Sequence, residues 1–223
     1  MKWSVFDIVG PIMVGPSSSH TSGAVRLGLF ANKLIGGIPE EAQIFLHGSY
    51  AEVYKGHGTD KALIAGLLGI APDSEKVVKA FKVAKEKGMK YKLIPTDLGS
   101  QYHPNTAKFI LKKEDTRLEL IGESIGAGSV QISEINGIKT NALNGKTDTI
   151  VIMQNDKPGV VAEISNTIAE DGVNIAEMST SRSEKGGTAM TIITTDTPVG
   201  KDVVNDLNKL NNIRWVRILP KLE

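Results

Sequence analysis

The chain has 223 residues, 40% of them hydrophobic, and a formal charge of +1 from 26 basic and 25 acidic side chains scattered along it. That mixture excludes a basic nucleic-acid patch and an acidic tail, and no apolar run nears the ~18 residues that cross a bilayer. With no cysteine present, disulfides, a thiol nucleophile and any thiolate-ligated zinc or iron–sulfur site built from these residues alone are excluded too.

The first ten residues, MKWSVFDIVG, are apolar in places. Asp7 interrupts them and no small-residue cleavage site follows, so they do not read as a signal peptide and a cytoplasmic location is expected. After the polar stretch GPSSSHTSG (residues 15–23), a helix is expected from near His20 or Thr21. In it Leu27, Phe30, Ala31, Leu34 and Ile35 recur at helical spacing, and Gly36-Gly37 ends it. AQIFLHGS (42–49) reads as a strand, and TDKALIAGLLG (59–69) as a helix with Thr59 or Asp60 near its N-cap. SEKVVKAFKVAKEKG (74–88) is amphipathic, with Val77, Val78, Phe81 and Ala84 on one face and lysines on the other. KYKLIP is a strand, AKFILKKEDTRLELIGES a hairpin turning at Glu114 and Asp115, and GAGSVQISEING a further strand. The polar, glycine-bearing GIKTNALNGKTD (137–148) marks the boundary between two domains, 1–146 and 147–223.

The second domain has a different rhythm. DTIVIMQN is a strand; DKPGVVAEISNTIAEDG is a helix opened by Pro158 and stopped by Gly172, with Val160, Val161, Ile164 and Ile168 as its buried stripe. VNIAEMSTSRS and GGTAMTIITTD are strands joined by a turn at 184–187. GKDVVNDLNKL is a helix with Val203, Val204, Leu207 and Leu210 on one face, and IRWVRILP closes as a strand. The order βαββαβ is the split-βαβ, ferredoxin-like arrangement. The fold class is therefore α+β, a mixed first domain followed by a ferredoxin-like one.

Three of the four histidines stand in glycine- and hydroxyl-rich surroundings: His20 in PSSSHTSG, His57 in YKGHGTDKA and His103 in SQYHPNTAKF. His47 closes the strand IFLHGS. Glycines on both sides leave His57 open to approach, and an imidazole titrates near neutrality, which suits a general base. Ser17, Ser18 and Ser19 precede a helix start, where hydroxyls and free N–H groups favour an anion, and Arg26 lies within the first turns. One serine suffices to cap a helix, so the surplus of hydroxyls points to a carboxylate or phosphate grip. There is no G-x-S-x-G elbow for a serine nucleophile and no G-x-G-x-x-G after a strand.

In NDKPGVVAEIS followed by EDGVNIAEM the second domain resembles the ACT family, which senses amino acids. The resemblance implies an effector site at the turn into the first helix, carried by Asp156, Gly159, Val160 and Asn174. It equally admits a domain that serves only packing or dimerisation.

SVFDIVGPIMVGPSSSHTSGAVRLG, GHGTDKALIAGLLG and HPNT, in this order, resemble the β chain of iron–sulfur-dependent L-serine dehydratases, over essentially the whole chain. That family converts L-serine to pyruvate and ammonia, its 4Fe-4S iron acting as Lewis acid on the β-hydroxyl while a base takes the α-proton. The resemblance implies a cluster held by a separate α subunit. It implies catalytic roles for His57, as base, and His20, the two being exchangeable at this stage. Ser17, Ser18, Ser19, Thr21, His103 and Asn105 would bind L-serine, and no metal ligand lies in this chain. A more distant resemblance, to a regulatory domain of serine-biosynthetic dehydrogenases, leaves a second expectation open: a purely sensing subunit that touches no chemistry.

Overall fold

The computed structural model describes residues 12–222. The reading of residues 1–10 as no signal peptide lies outside them. The chain divides into two compact units, the first reaching Asn136 and including Ala142–Asn144, the second comprising Gly137–Asn141 and the residues from Gly145.

Five strands of the first unit, with a sixth divided between the two units, form a six-stranded sheet. Its strands are β1 (Glu41–His47), β2 (Lys90–Pro95), β3 (Thr106–Lys113), β4 (Thr116–Gly126), β5 (Ser129–Ile135) and β6 (Ile138–Leu143), in the order β2-β1-β3-β4-β5-β6. β1 and β2 are parallel; β3, β4 and β5 follow antiparallel. The β3–β4 turn falls at Glu114, whose φ of 52° is the left-handed conformation such a tight reversal needs. The segment read as the domain boundary thus carries β6.

α1 (Gly23–Ile35) lies on the sheet at β3, β4 and β5, and α3 (Thr59–Leu67) packs against α1. The helical stripe of α1, Leu27, Phe30, Ala31, Leu34 and Ile35, is buried as its spacing predicts. α1 and α3 touch backbone to backbone: a Cβ on Gly66 would lie 2.1 Å from the Val25 carbonyl oxygen, and one on Gly28 would lie 2.4 Å from that of Leu63. The buried Asn32 amide donates to the Leu67 carbonyl at 2.7 Å, capping α3's C-terminal end from the side.

Three details differ from expectation. α3 is preceded by Gly58 in the left-handed region rather than capped by Thr59 or Asp60. A five-residue helix, α2 (Ser49–Val53), follows β1 and was not expected. The amphipathic helix opens as a 3₁₀ segment, Glu75–Lys79, before α4 (Ala80–Glu86). The tighter 3₁₀ winding, three residues per turn, rotates Val78 out to 54% exposure while Val77, Ala80 and Ala84 stay buried.

The second unit is β7 (Thr149–Asn155), α5 (Val160–Glu170), β8 (Ile175–Arg182), β9 (Thr188–Thr195), α6 (Lys201–Lys209) and β10 (Ile213–Leu219). Its sheet, ordered β10-β7-β9-β8, is antiparallel throughout. That is the ferredoxin-like order expected from βαββαβ. Ile150, Ile152, Ile193 and Val216 meet Val160, Ile164, Ile168, Val203 and Leu207 in one core. Val161, assigned to that stripe from its spacing, is 41% exposed, because i and i+1 lie 100° apart and only one can face the sheet.

Candidate active site

The stretch before α1 is wound as a single wide turn, Ser18–Ser22, in which the Gly23 N–H reaches back five residues to the Ser18 carbonyl. Ser17 caps it, its hydroxyl accepting from the His20 N–H at 3.2 Å. Wide turns of this kind are uncommon and cluster at functional sites.

The His20 ring is held at both ends. Nδ1 lies 3.2 Å from the Ser19 hydroxyl and 3.4 Å from that of Ser17; Nε2 lies 3.1 Å from that of Ser49. One ring nitrogen donates and the other accepts, and hydroxyls serve either role. Burial, and after it the neighbouring His57, hold the His20 imidazole below its ordinary pKa, so the ring is neutral at pH 7. Tyr50 and His57 both pack against it edge to face, with ring centroids 5.3 and 4.9 Å away.

His57 is the counterpart. It is exposed, between Gly56 and Gly58, and its ring nitrogens have no hydrogen-bond partner among the described residues. Its backbone carbonyl is held by the Thr21 hydroxyl, which donates at 3.3 Å. Thr21 itself is 2% exposed, and a Cβ on Gly15 would stand 2.4 Å from its methyl group. The structure therefore gives Thr21 a buried, bracing place rather than an accessible one. Ser18 is half-buried and its hydroxyl has no partner among the described residues.

The His103–Asn105 loop joins the cluster from behind. The Pro104 carbonyl accepts the Tyr50 N–H at 3.3 Å, and the Asn105 carbonyl accepts the Ser124 N–H at 3.0 Å. His103 Nδ1 accepts the Asn105 N–H at 3.1 Å, so that ring nitrogen serves its own loop. Asn105 Oδ1 is buried without a partner among the described residues. Arg26 turns toward the β4–β5 turn, donating to the Gly128 carbonyl at 3.0 Å, and burial lowers its pKa. His47 accepts from the Leu98 N–H at 3.1 Å beside Asp97.

Three sequence motifs thus meet in one cluster, together with Ser49, Tyr50 and Ser124, which sequence reasoning missed. Ser49 and Tyr50 sit on the short α2, too brief for any periodicity, and Ser124 is one polar residue inside a strand. Among the described residues no group of three or more His, Cys, Asp or Glu side chains could hold a metal. No described helix is long and apolar enough to cross a membrane.

In the second unit the four residues grouped at the ACT turn separate. Asp156 accepts from Arg182 Nη1 at 3.1 Å and from the Gly186 N–H at 2.9 Å, clipping the β8–β9 turn. These bonds hold its carboxyl below the usual pKa. Gly159 opens α5 at φ 89° with open space where a Cβ would stand. Val160 is a core residue, 1% exposed. Asn174 donates to Asp196 at 2.7 Å. The register pairs Asn155 with Thr188, Thr149 with Thr194 and Ile175 with Thr195. Asn174 therefore lies at the opposite end of the sheet from Asp156, roughly 20 Å away at ~3.3 Å per residue.

The geometry defines a two-unit α+β protein, with a histidine–hydroxyl cluster in the first unit and a ferredoxin-like second unit. Residues 4–134 match the family model for the serine dehydratase beta chain, and residues 147–212 match the ACT domain. The chain is 42% identical to the probable L-serine dehydratase beta chain of Bacillus subtilis, covering 96% of each. It is 33% identical to the L-serine dehydratase beta chain of Peptoniphilus asaccharolyticus, covering 97% of this chain and 99% of that one. A D-3-phosphoglycerate dehydrogenase of Methanocaldococcus jannaschii is 22% identical over 88% of this chain and 37% of its own length. The chain belongs to the serine dehydratase beta chain family and carries a C-terminal ACT domain.

Proposed function

We propose that this chain is the β subunit of a two-chain L-serine dehydratase, which converts L-serine to pyruvate and ammonia with an α subunit. The observation that carries this reading is the pairing of two unlike imidazoles 4.9 Å apart, His20 tied at both nitrogens and His57 exposed with neither tied. A ring whose nitrogens are filled by Ser17, Ser19 and Ser49 has no lone pair free to abstract a proton. His57 has, and it is assigned as the general base that takes the α-proton. The pair of electrons left on Cα forms the double bond as hydroxide leaves Cβ. The resulting aminoacrylate tautomerises to an imine, and water releases ammonia and pyruvate.

The substrate carboxylate is assigned to the start of the wide turn, where the Ser18 hydroxyl and the first N–H groups converge. His20 is the wall of that grip, and His103 and Asn105 support it from behind. The residues present do not fit a 4Fe-4S cluster, since they include no cysteine thiolate. The proposal places the cluster on the α subunit. The β7–α5 turn, with Asp156 and Gly159, is the proposed effector side of the ACT domain, where α5 offers N–H groups to an amino-acid carboxylate.

The test is His57→Ala in the assembled enzyme. A loss of kcat of roughly 10²–10⁴-fold at unchanged iron content is expected; turnover near wild type removes His57 from the chemistry.

A second reading is favoured by the likeness to a dehydrogenase over 88% of the chain. In it the same hydroxyl grip senses an anion and does no chemistry. His57→Ala would then leave kcat intact and change only the response to added amino acid.

A further inference from the structure

The wide turn raises a question of its own. In an α-helix the Gly23 N–H would bond the Ser19 carbonyl, four residues back. Here it goes to Ser18 instead. The Ser19 carbonyl is filled by two side chains from elsewhere in the fold: Tyr50 Oη donates at 2.9 Å and Ser124 Oγ at 2.9 Å. A carbonyl oxygen has two lone pairs, and two donors saturate it.

Both donors are fixed from behind. Tyr50 is fully buried, its N–H held by Pro104, and burial pushes its phenol well above the ordinary pKa, so it stays protonated and donating. Ser124 is fully buried, its N–H held by Asn105, and Gly23 leaves it room: a Cβ there would lie 2.1 Å from the Ser124 hydroxyl oxygen.

We infer that Tyr50 and Ser124 are positioning residues which, by jointly occupying the Ser19 carbonyl, hold the turn in its wide form and so set the orientation of His20 against His57. Without them the Ser19 carbonyl regains its best donor by taking the Gly23 N–H. That tightens the turn into α geometry and swings the His20 ring away from Ser49. The inference also gives the His103–Asn105 loop its purpose, since that loop anchors both donors. As a statement about turnover it rests on the proposed dehydratase reading; as a statement about His20 it does not.

The variants are Tyr50→Phe, Ser124→Ala and the double variant, each read in two ways. The first is turnover of L-serine by the assembled enzyme. The second is the ring ¹⁵N and ¹³C–¹H NMR shifts of the four histidines in the full chain, assigned by single His→Asn changes. Each single variant leaves one donor and is expected to lower kcat by about two- to fivefold. The double variant empties the carbonyl and is expected to lose about 10²-fold, more than the product of the singles. In the double variant the His20 signals move, while those of His47 stay. A fall in kcat with unmoved His20 signals overturns the inference, and so does a double variant that matches wild type. If wild type turns over no serine with any α chain, the dehydratase reading fails, and the His20 shifts alone decide this one.

Discussion

His20 is neutral in the folded protein because burial, and after it the neighbouring His57 imidazole, hold its pKa below the ordinary value. In the unfolded chain the same ring returns to its ordinary value of about 6.5. Its folded pKa is depressed, so between the two values the unfolded state binds more protons. Its contribution to stability is therefore complete above pH ~6.5 and is lost as pH falls through that window toward the folded value. His20→Gln cannot protonate. Over pH 7.5 to 5 the urea midpoint of wild type is expected to fall more steeply than that of His20→Gln. Parallel curves would mean that the ring is not held neutral. At the same scale the surplus of hydroxyls in PSSSHTSG was legible as more than a cap. Its division of labour was not: Ser17 and Ser19 serve His20, and Thr21 serves His57. The partners that fix those roles, Ser49 and the His57 carbonyl, are 29 and 36 residues away in sequence.

Between elements, α1 and α3 are the scaffold that brings GPSSSHT beside GHGTD, and their contact depends on two glycines. Gly66→Ala would gain about 1 kcal/mol of helix propensity on an exposed helix. Here its methyl would meet the Val25 carbonyl oxygen at 2.1 Å, backbone against backbone, with no side chain to swing aside. The clash wins, and a net loss of about 1–3 kcal/mol is expected in urea unfolding. A neutral or stabilised variant would show that the helices separate freely. The ferredoxin-like order of the second unit was legible from periodicity, because its helices each bury one stripe in a shared core with the sheet; α1 and α3 were legible from apolar runs that are buried on most sides. What periodicity missed is short or irregular. Five residues of α2 contain too little repeat to see, and the 3₁₀ opening before α4 changes the period, which is why Val78 was assigned to the wrong face. Asn174 and Asp156 lie at opposite ends of the sheet for a related reason: strand register, not sequence proximity, decides which end a residue occupies.

At the scale of the molecule, each unit has a core of its own, and the second is compact enough to read directly. Ile152 is fully buried at its centre and Trp215 lies on the neighbouring β10. In a Trp3→Phe background Trp215 is the sole tryptophan. Ile152→Ala is expected to cost about 2–5 kcal/mol in the transition that Trp215 emission reports.

The division of chemistry is the larger consequence. As proposed, the site offers a base, a hydroxyl grip and a rigid backing, while the chain's 223 residues contain no thiolate to hold an iron–sulfur cluster. In that proposal half of the elimination, removal of the α-proton, is assigned to residues of this chain, and departure of the β-hydroxyl is assigned to the α subunit. A carbanion formed without a departing group would only return its proton. This chain alone is therefore expected to release no pyruvate from L-serine, yet to act when combined anaerobically with an α chain of its family. The His57→Ala chain should still bind that partner in size-exclusion chromatography while failing to restore turnover. Pyruvate from this chain alone would overturn the division. An assembled but silent wild-type complex, with cluster present, would shift the weight to the sensing role.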